Sequence, residues 1–88
     1  MYRVPEQDTY EPGAFIECWS DANPSATYSW SNLDTLQVYP GYRIDLNEDW
    51  IGTWRMQCHA ENVIDDVKYT NDYFFSLIVN GRRRPLDV

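Results

Sequence analysis

Residues 18–30, CWSDANPSATYSW, place a cysteine twelve positions before a tryptophan, with a polar segment containing Asn23 and Pro24 between them. In 14–18 (AFIEC), before that segment, Ala14, Ile16 and Cys18 fall on one face and Glu17 on the other, and in 27–31 (TYSWS) two aromatic residues alternate with three hydroxyl residues. A period of two is typical of a half-buried strand, because successive side chains point to opposite faces. The stretch therefore predicts two strands joined by a turn, with Cys18 and Trp30 on their inward faces.

The same alternation recurs along the rest of the chain, and no segment has the periodicity of a long helix. Further strands are predicted at 35–39 (TLQVY), 42–46 (YRIDL), 53–60 (TWRMQCHA) and 73–79 (YFFSLIV), with an edge strand near 2–11 that Pro5 interrupts. Strands at spacings near ten residues, separated by turn residues, predict an all-β antiparallel two-sheet sandwich of about seven strands. We expect one domain over residues 1–80 and a basic linker or tail over 81–88.

Composition limits the classes of partner and the cellular setting. The 88 residues suit one domain, and four Trp, seven Tyr and three Phe supply large rings for a small core. A net charge of −7 opposes nucleic-acid binding, which needs clustered cations. The chain has neither an apolar run of eighteen residues nor an apolar signal core after Met1. We therefore expect targeting segments, and any membrane attachment, to lie outside this chain.

The second cysteine gives the pattern its specificity. Cys58 lies on a predicted strand face that otherwise carries apolar residues, as Cys18 does. Together with Trp30, and with GTWRMQCHAEN at 52–62, this arrangement resembles the immunoglobulin superfamily, whose penultimate strand carries a Gly-x-Tyr-x-Cys-x-Ala-x-Asn pattern. The resemblance extends over residues 2–79. Forty positions between the cysteines leave no room for the extra strands of a variable-type domain, so the chain is similar to the constant-2 or intermediate sets of adhesion molecules and receptors.

The resemblance implies one disulfide between the sheets, from Cys18 to Cys58, with Trp30 packed over it. Two free thiols, as in cytosolic muscle domains of this type, remain the alternative. Met56 stands where the family has a tyrosine whose hydroxyl bonds back to the chain, and we expect the indole N–H of Trp54 to take that role. The predicted core consists of Trp30, Trp54, Met56, Ile44, Leu46 and Leu77.

Catalytic and metal sites are not predicted. His59 is the single histidine, and the alternation points it outward, with no nucleophile or orienting carboxylate in a recognisable pattern around it. We therefore expect no enzymatic activity and no cofactor. Acidic and amide residues flank the last hairpin and are of the type that binds Ca²⁺, but without the spacing of a calcium loop they predict a solvated hairpin; they are Glu61, Asn62, Asp65, Asp66 and Asp72.

Protein recognition is the predicted function. The candidate partner-binding residues are His59, Gln57, Phe74 and Ile78 on an outward sheet face, Tyr39 at or near its edge, and Asn23 in a loop. The segments 20–26 (SDANPSA) and 62–71 (NVIDDVKYTN) are expected as loops at one end of the sandwich. The resemblance implies an extracellular module that binds a protein ligand or a homophilic partner within a larger receptor or adhesion protein. The alternatives are a spacer in a receptor kinase, extracellular enzyme or matrix protein, and an intracellular sarcomere-type domain.

Overall fold

The computed structural model describes residues 1–20 and 26–81, and these residues form an all-β structure. Its strands are β1 (Tyr2–Val4), β2 (Phe15–Trp19), β3 (Thr27–Asn32), β4 (Gln37–Pro40), β5 (Arg43–Asp45), β6 (Gly52–Ile64) and β7 (Val67–Val79). A single 3-10 turn, Glu48–Trp50, connects β5 to β6. Every predicted strand is present, although the edge strand predicted near 2–11 is limited to Tyr2–Val4, and β6 and β7 are longer than the alternation indicates.

The seven strands form two antiparallel sheets. One sheet has the order β1-β2-β5, and the other has the order β4-β3-β6-β7. In the larger sheet Trp30 lies opposite Cys58 on one side and opposite Tyr39 on the other. Facing sheets of three and four strands make this the immunoglobulin-like sandwich that the sequence predicts.

The core is built around the bond between Cys18 and Cys58, which joins β2 to β6 and therefore ties the two sheets together. The Trp30 ring is fully buried beside it, and its indole N–H donates to the carbonyl of Tyr42 at 2.9 Å. Of the predicted core, Trp30, Ile44, Leu46, Met56 and Leu77 are buried. Trp54 is the exception, because it packs against the core while remaining partly exposed.

The segment before β2 contributes a core residue that the alternation does not identify. Tyr10 is only 2% exposed and forms an isolated parallel bridge with Val79, at the end of β7. Its hydroxyl accepts a hydrogen bond from Arg3 Nε at 3.1 Å and donates one to the Pro5 carbonyl. The hydroxyl bonds therefore link Tyr10 to Arg3 in β1, and the bridge to Val79 links it to β7, so Tyr10 connects the N-terminal segment to both sheets.

The turn between β5 and β6 is held by a hydrogen bond that replaces the one a tyrosine would make at position 56. Met56 is buried and has no hydroxyl to bond back to the chain. The Trp54 indole N–H instead donates to the carbonyl of Trp50 at 2.8 Å, which confirms the expected substitute. Asn47 begins the 3-10 turn by accepting a hydrogen bond from the Asp49 backbone N–H at 2.9 Å.

The prediction of a loop over residues 62–71 is wrong, because β6 and β7 pair without interruption from Gly52–Val79 to Ile64–Val67. Asp65 and Asp66, with φ of 51° and 64°, form the tight turn between them, as a type I′ hairpin requires. The β3 strand pairs with β6 only as far as Glu61. The remaining three rungs extend about 10 Å further. We call residues 62–71 the projecting hairpin.

Candidate functional site

The outward face of the larger sheet brings together most of the predicted partner-binding residues. Gln57 lies opposite Phe74 and His59 lies opposite Asp72 in the β6–β7 ladder, and Ile78 follows on β7. The register places these side chains on the side of the sheet away from the disulfide, since Cys58 and Leu77 occupy the inward positions. The alternation thus assigned all four candidates to the correct face.

A small polar network occupies the centre of this face. His59 Nδ1 lies 2.7 Å from Asp72 Oδ1, and the Gln57 side-chain amide donates to the same oxygen at 2.8 Å. On the other side of the ring, His59 Nε2 lies 3.4 Å from Glu61 Oε1. Lys68 Nζ contacts that same Glu61 oxygen at 3.4 Å, which extends the network toward the projecting hairpin.

The network changes the protonation behaviour of its members. The hydrogen bond to Asp72 raises the pKa of His59 above its ordinary value, with a further contribution from Glu61, while burial opposes the shift. The pKa values of Asp72 and Glu61 are both lowered, in each case chiefly by the hydrogen bond to His59. The arrangement favours an imidazolium held between two carboxylates, which suits a surface contact more than a general base.

Apolar side chains lie beside the network. Phe74 is 62% exposed and Ile78 is 37% exposed. A shallow depression of about 280 Å³ adjoins Phe74, and its lining residues are Leu33, Arg55, Met56, Phe74, Phe75 and Ser76. An exposed aromatic ring next to charged and amide groups matches the composition of many protein–protein contacts.

One predicted candidate points away from this face, and another lies outside the described residues. Tyr39 lies on the edge strand β4 as expected, but it pairs with the buried Trp30, and its ring packs against Trp50 with the ring centroids 5.5 Å apart. It therefore faces the space between the sheets, where it lines a cleft of about 280 Å³ with Trp50 and Trp54. Asn23, like most of the predicted 20–26 loop, lies outside the described residues.

The projecting hairpin carries the apolar surface that the alternation missed. Val63 is 59% exposed, and Ile64, Val67 and Tyr69 are each 50% exposed. Ile64, Val67 and Tyr69 share the hairpin face that continues the core side of the sheet, while Val63 points the other way. The signal available in the sequence is the run VIDDVKY at 63–69, in which an Asp-Asp pair separates β-branched residues.

No group of three or more metal-ligating side chains occurs in residues 1–20 and 26–81. Within the same ranges, no helix is long and apolar enough to cross a membrane. Comparison of the chain with protein-family models, with curated proteins and with solved structures finds no match.

Proposed function

We propose that this chain is an immunoglobulin superfamily module that recognises an extracellular protein, with the projecting hairpin and the adjoining outward face as its binding surface. The observation that carries the proposal is the hairpin itself. It holds four apolar side chains in water at the end of a disulfide-bonded sandwich. Holding them there costs solvation free energy that burial against a partner would return.

The rigidity of the support strengthens the proposal. The hairpin is a direct continuation of the two strands that cross the body, and one of them carries the disulfide to the opposite sheet. A binding element fixed to a rigid scaffold loses little conformational entropy when it binds. On the outward face, the charged network around His59 and the exposed ring of Phe74 extend the surface from Val63 toward the body, while Ile64, Val67 and Tyr69 present the opposite face of the hairpin.

An extracellular setting is part of the proposal, because disulfides persist in oxidising compartments. It also follows from the resemblance of the Cys18, Trp30 and Cys58 framework to cell-surface modules. We expect a thiol reagent to label no sulfur in the denatured, unreduced chain. Labelling of two sulfurs would support the intracellular alternative.

The test of recognition is capture on an array of secreted ectodomains that includes this chain itself, with the chain presented as a multimer. The variant Ile64→Lys with Val67→Glu removes apolar surface and introduces an opposite-charge pair across the ladder, which supports the strand pairing. The matched control, Leu36→Lys with Val38→Glu, makes the same changes at exposed apolar residues on and near the opposite edge of the sheet.

We expect the hairpin variant to reduce capture at least tenfold with no change in melting temperature, and the control to bind as the unmodified chain does. A face variant, Phe74→Ala with the charge-reversing His59→Glu, measures how much the adjoining outward face contributes to capture. Equal capture by the hairpin variant, the face variant and the native chain would contradict the proposal and would favour a spacer role.

A further inference from the structure

In the part of the chain that the structure describes, β7 forms one edge of the larger sheet and is paired on one side only for most of its length. The order β4-β3-β6-β7 places it last. Among the described residues, the backbone hydrogen bonds on its outer side are those with Tyr10, whose N–H donates to the Ile78 carbonyl and whose carbonyl accepts from Asn80. From Val67 to Leu77, the outer side of β7 therefore has no strand beside it within residues 1–20 and 26–81.

The hydrogen-bond pattern identifies the β7 backbone groups that point outward. The Arg55 carbonyl accepts from Leu33, so odd-numbered β6 residues direct their backbone groups toward β3. Even-numbered β6 residues then pair with odd-numbered β7 residues, which leaves the even-numbered β7 residues facing the free edge. The outward carbonyl of Ile78 agrees with this alternation. The edge-facing residues are Lys68, Thr70, Asp72, Phe74 and Ser76.

Two charged residues on this edge, Lys68 and Asp72, are of a type that protects exposed strands, but the other usual protections are missing. The edge contains no proline and no bulge, and every residue from 67 to 72 is exposed. A long, regular edge with unpaired N–H and C=O groups is a template for adding another strand. Because β6 lies between this edge and β3, β3 does not block the approach of a strand from another molecule.

We propose that a second copy of this chain pairs with this edge, in an antiparallel arrangement whose two-fold axis passes through Thr70. The inference rests on the proposed recognition role, because it names the partner of the hairpin. The two four-stranded sheets would then join into one continuous sheet through about six backbone hydrogen bonds.

Charge complementarity selects this register. With the axis at Thr70, each Lys68 lies opposite the partner's Asp72, which forms two symmetric opposite-charge pairs. An axis at Asp72 would place that carboxylate opposite its own copy, and an axis at Asn71 would leave Lys68 opposite a phenyl ring. Asp72 uses Oδ1 for both His59 and Gln57, so its Oδ2 can accept the partner's Lys68.

The apolar side of the hairpin agrees with the same register. Val67 would lie opposite the partner's Tyr73, which covers part of a side chain that is half exposed in the single chain. Because the two β7 strands run antiparallel and pair only near the turn of each hairpin, the two bodies extend in opposite directions from the axis. Neither body then occupies the space that the other needs.

The test compares self-association of Lys68→Glu, Asp72→Lys and their equimolar mixture by sedimentation velocity. Each variant alone places two like-charge pairs in the interface, whereas a heterodimer of the two variants restores two opposite-charge pairs. We expect each variant alone to dimerise at least tenfold more weakly than the native chain, and the mixture to recover the loss. A native chain that stays monomeric at millimolar concentration, or a mixture no better than its components, would overturn the inference.

A second arm does not depend on changing Asp72. Thr70→Cys places two thiols beside the axis and is expected to form a disulfide-linked dimer under mild oxidation, while Ser76→Cys on the same edge is not. Equal cross-linking of both variants, or of neither, would contradict this register. If self-association fails in both arms but Ile64→Lys with Val67→Glu still loses capture on the ectodomain array, the recognition proposal stands and only the second-copy partner is wrong.

Discussion

The strands β6 and β7 run through two regions that differ in almost every physical respect. In the body, β6 has a strand on both sides, carries the Cys58 sulfur and packs Met56 and Ala60 into the core. In the projecting hairpin the same two strands pair only with each other among the described residues, and residues 63–70 are all exposed. One continuous ladder thus serves as a buried framework at one end and as accessible surface at the other.

The largest expected effect is on the stability of the body, which the disulfide holds together. Replacing both cysteines, Cys18→Ala with Cys58→Ala, should lower the free energy of unfolding by about 4 kcal/mol, because the bond closes a loop of about 40 residues. Urea unfolding of the oxidised native chain and of the variant measures the loss. A loss below about 1 kcal/mol would mean that the bond does not hold the body together.

A pair of truncations on one strand compares the regions directly. Leu77→Ala in the body should cost about 3 kcal/mol, since Leu77 is fully buried and its removal leaves a cavity. Val67→Ala in the hairpin should change the free energy of unfolding by less than about 0.5 kcal/mol, because that side chain is half exposed. Similar losses from the two variants would show that the hairpin is as tightly packed as the body.

Trp54→Phe tests the turn that supports the base of β6. The change keeps an aromatic ring but leaves the Trp50 carbonyl without its indole donor, at an expected cost of about 1 kcal/mol. Trp19→Phe is the matched control, because the Trp19 indole bonds only the side chain of Glu17, at 3.2 Å. Equal effects of the two substitutions would remove the special role assigned to Trp54.

The smallest expected effect is the pH dependence at the junction of the two regions. The His59 pKa is raised in the folded chain, so its contribution to stability is complete below about pH 6.5 and is lost as pH rises through the folded pKa. His59 is the single histidine, so its proton NMR titration gives one unambiguous curve.

Asp72→Asn should lower that pKa more than Glu61→Gln does, because Asp72 lies 2.7 Å from the ring and Glu61 lies 3.4 Å from it. Both variants keep a side chain of the same size. The reverse order, or no shift in either variant, would contradict the described network.

Sequence alternation predicts the body well for a physical reason. Strands such as β6 between Trp54 and Ala60 have one face in the core and one in water, so apolar and polar residues alternate with a clear period of two. The two cysteines and Trp30 added a specific framework to that pattern. Fold class and most core residues could therefore be predicted from the sequence, and the resemblance to the immunoglobulin superfamily implied the disulfide partners.

The extension of the hairpin strands through 62–71 could not be predicted in the same way, because both faces of this segment meet water. Without a buried face there is no contrast between inward and outward residues, and polar residues outnumber apolar ones in 62–71, as they do in many loops. Its turn also lacks the glycine that most often marks a type I′ hairpin, since Asp65 and Asp66 adopt positive φ there. The inward direction of Tyr39 was missed for a related reason, because only pairing with Trp30 fixes the orientation of the short strand β4.

Residue-resolved amide hydrogen exchange on the dilute, monomeric chain tests most directly the claim that a doubly paired body continues into a hairpin with a free edge. The account predicts slow exchange throughout β6 between Met56 and Ala60. Along β7 from Lys68 to Ser76, it predicts slower exchange at odd-numbered residues, which bond β6, than at the even-numbered residues of the open edge. Equal protection of odd and even residues along that part of β7 would contradict it, because the edge would then be covered.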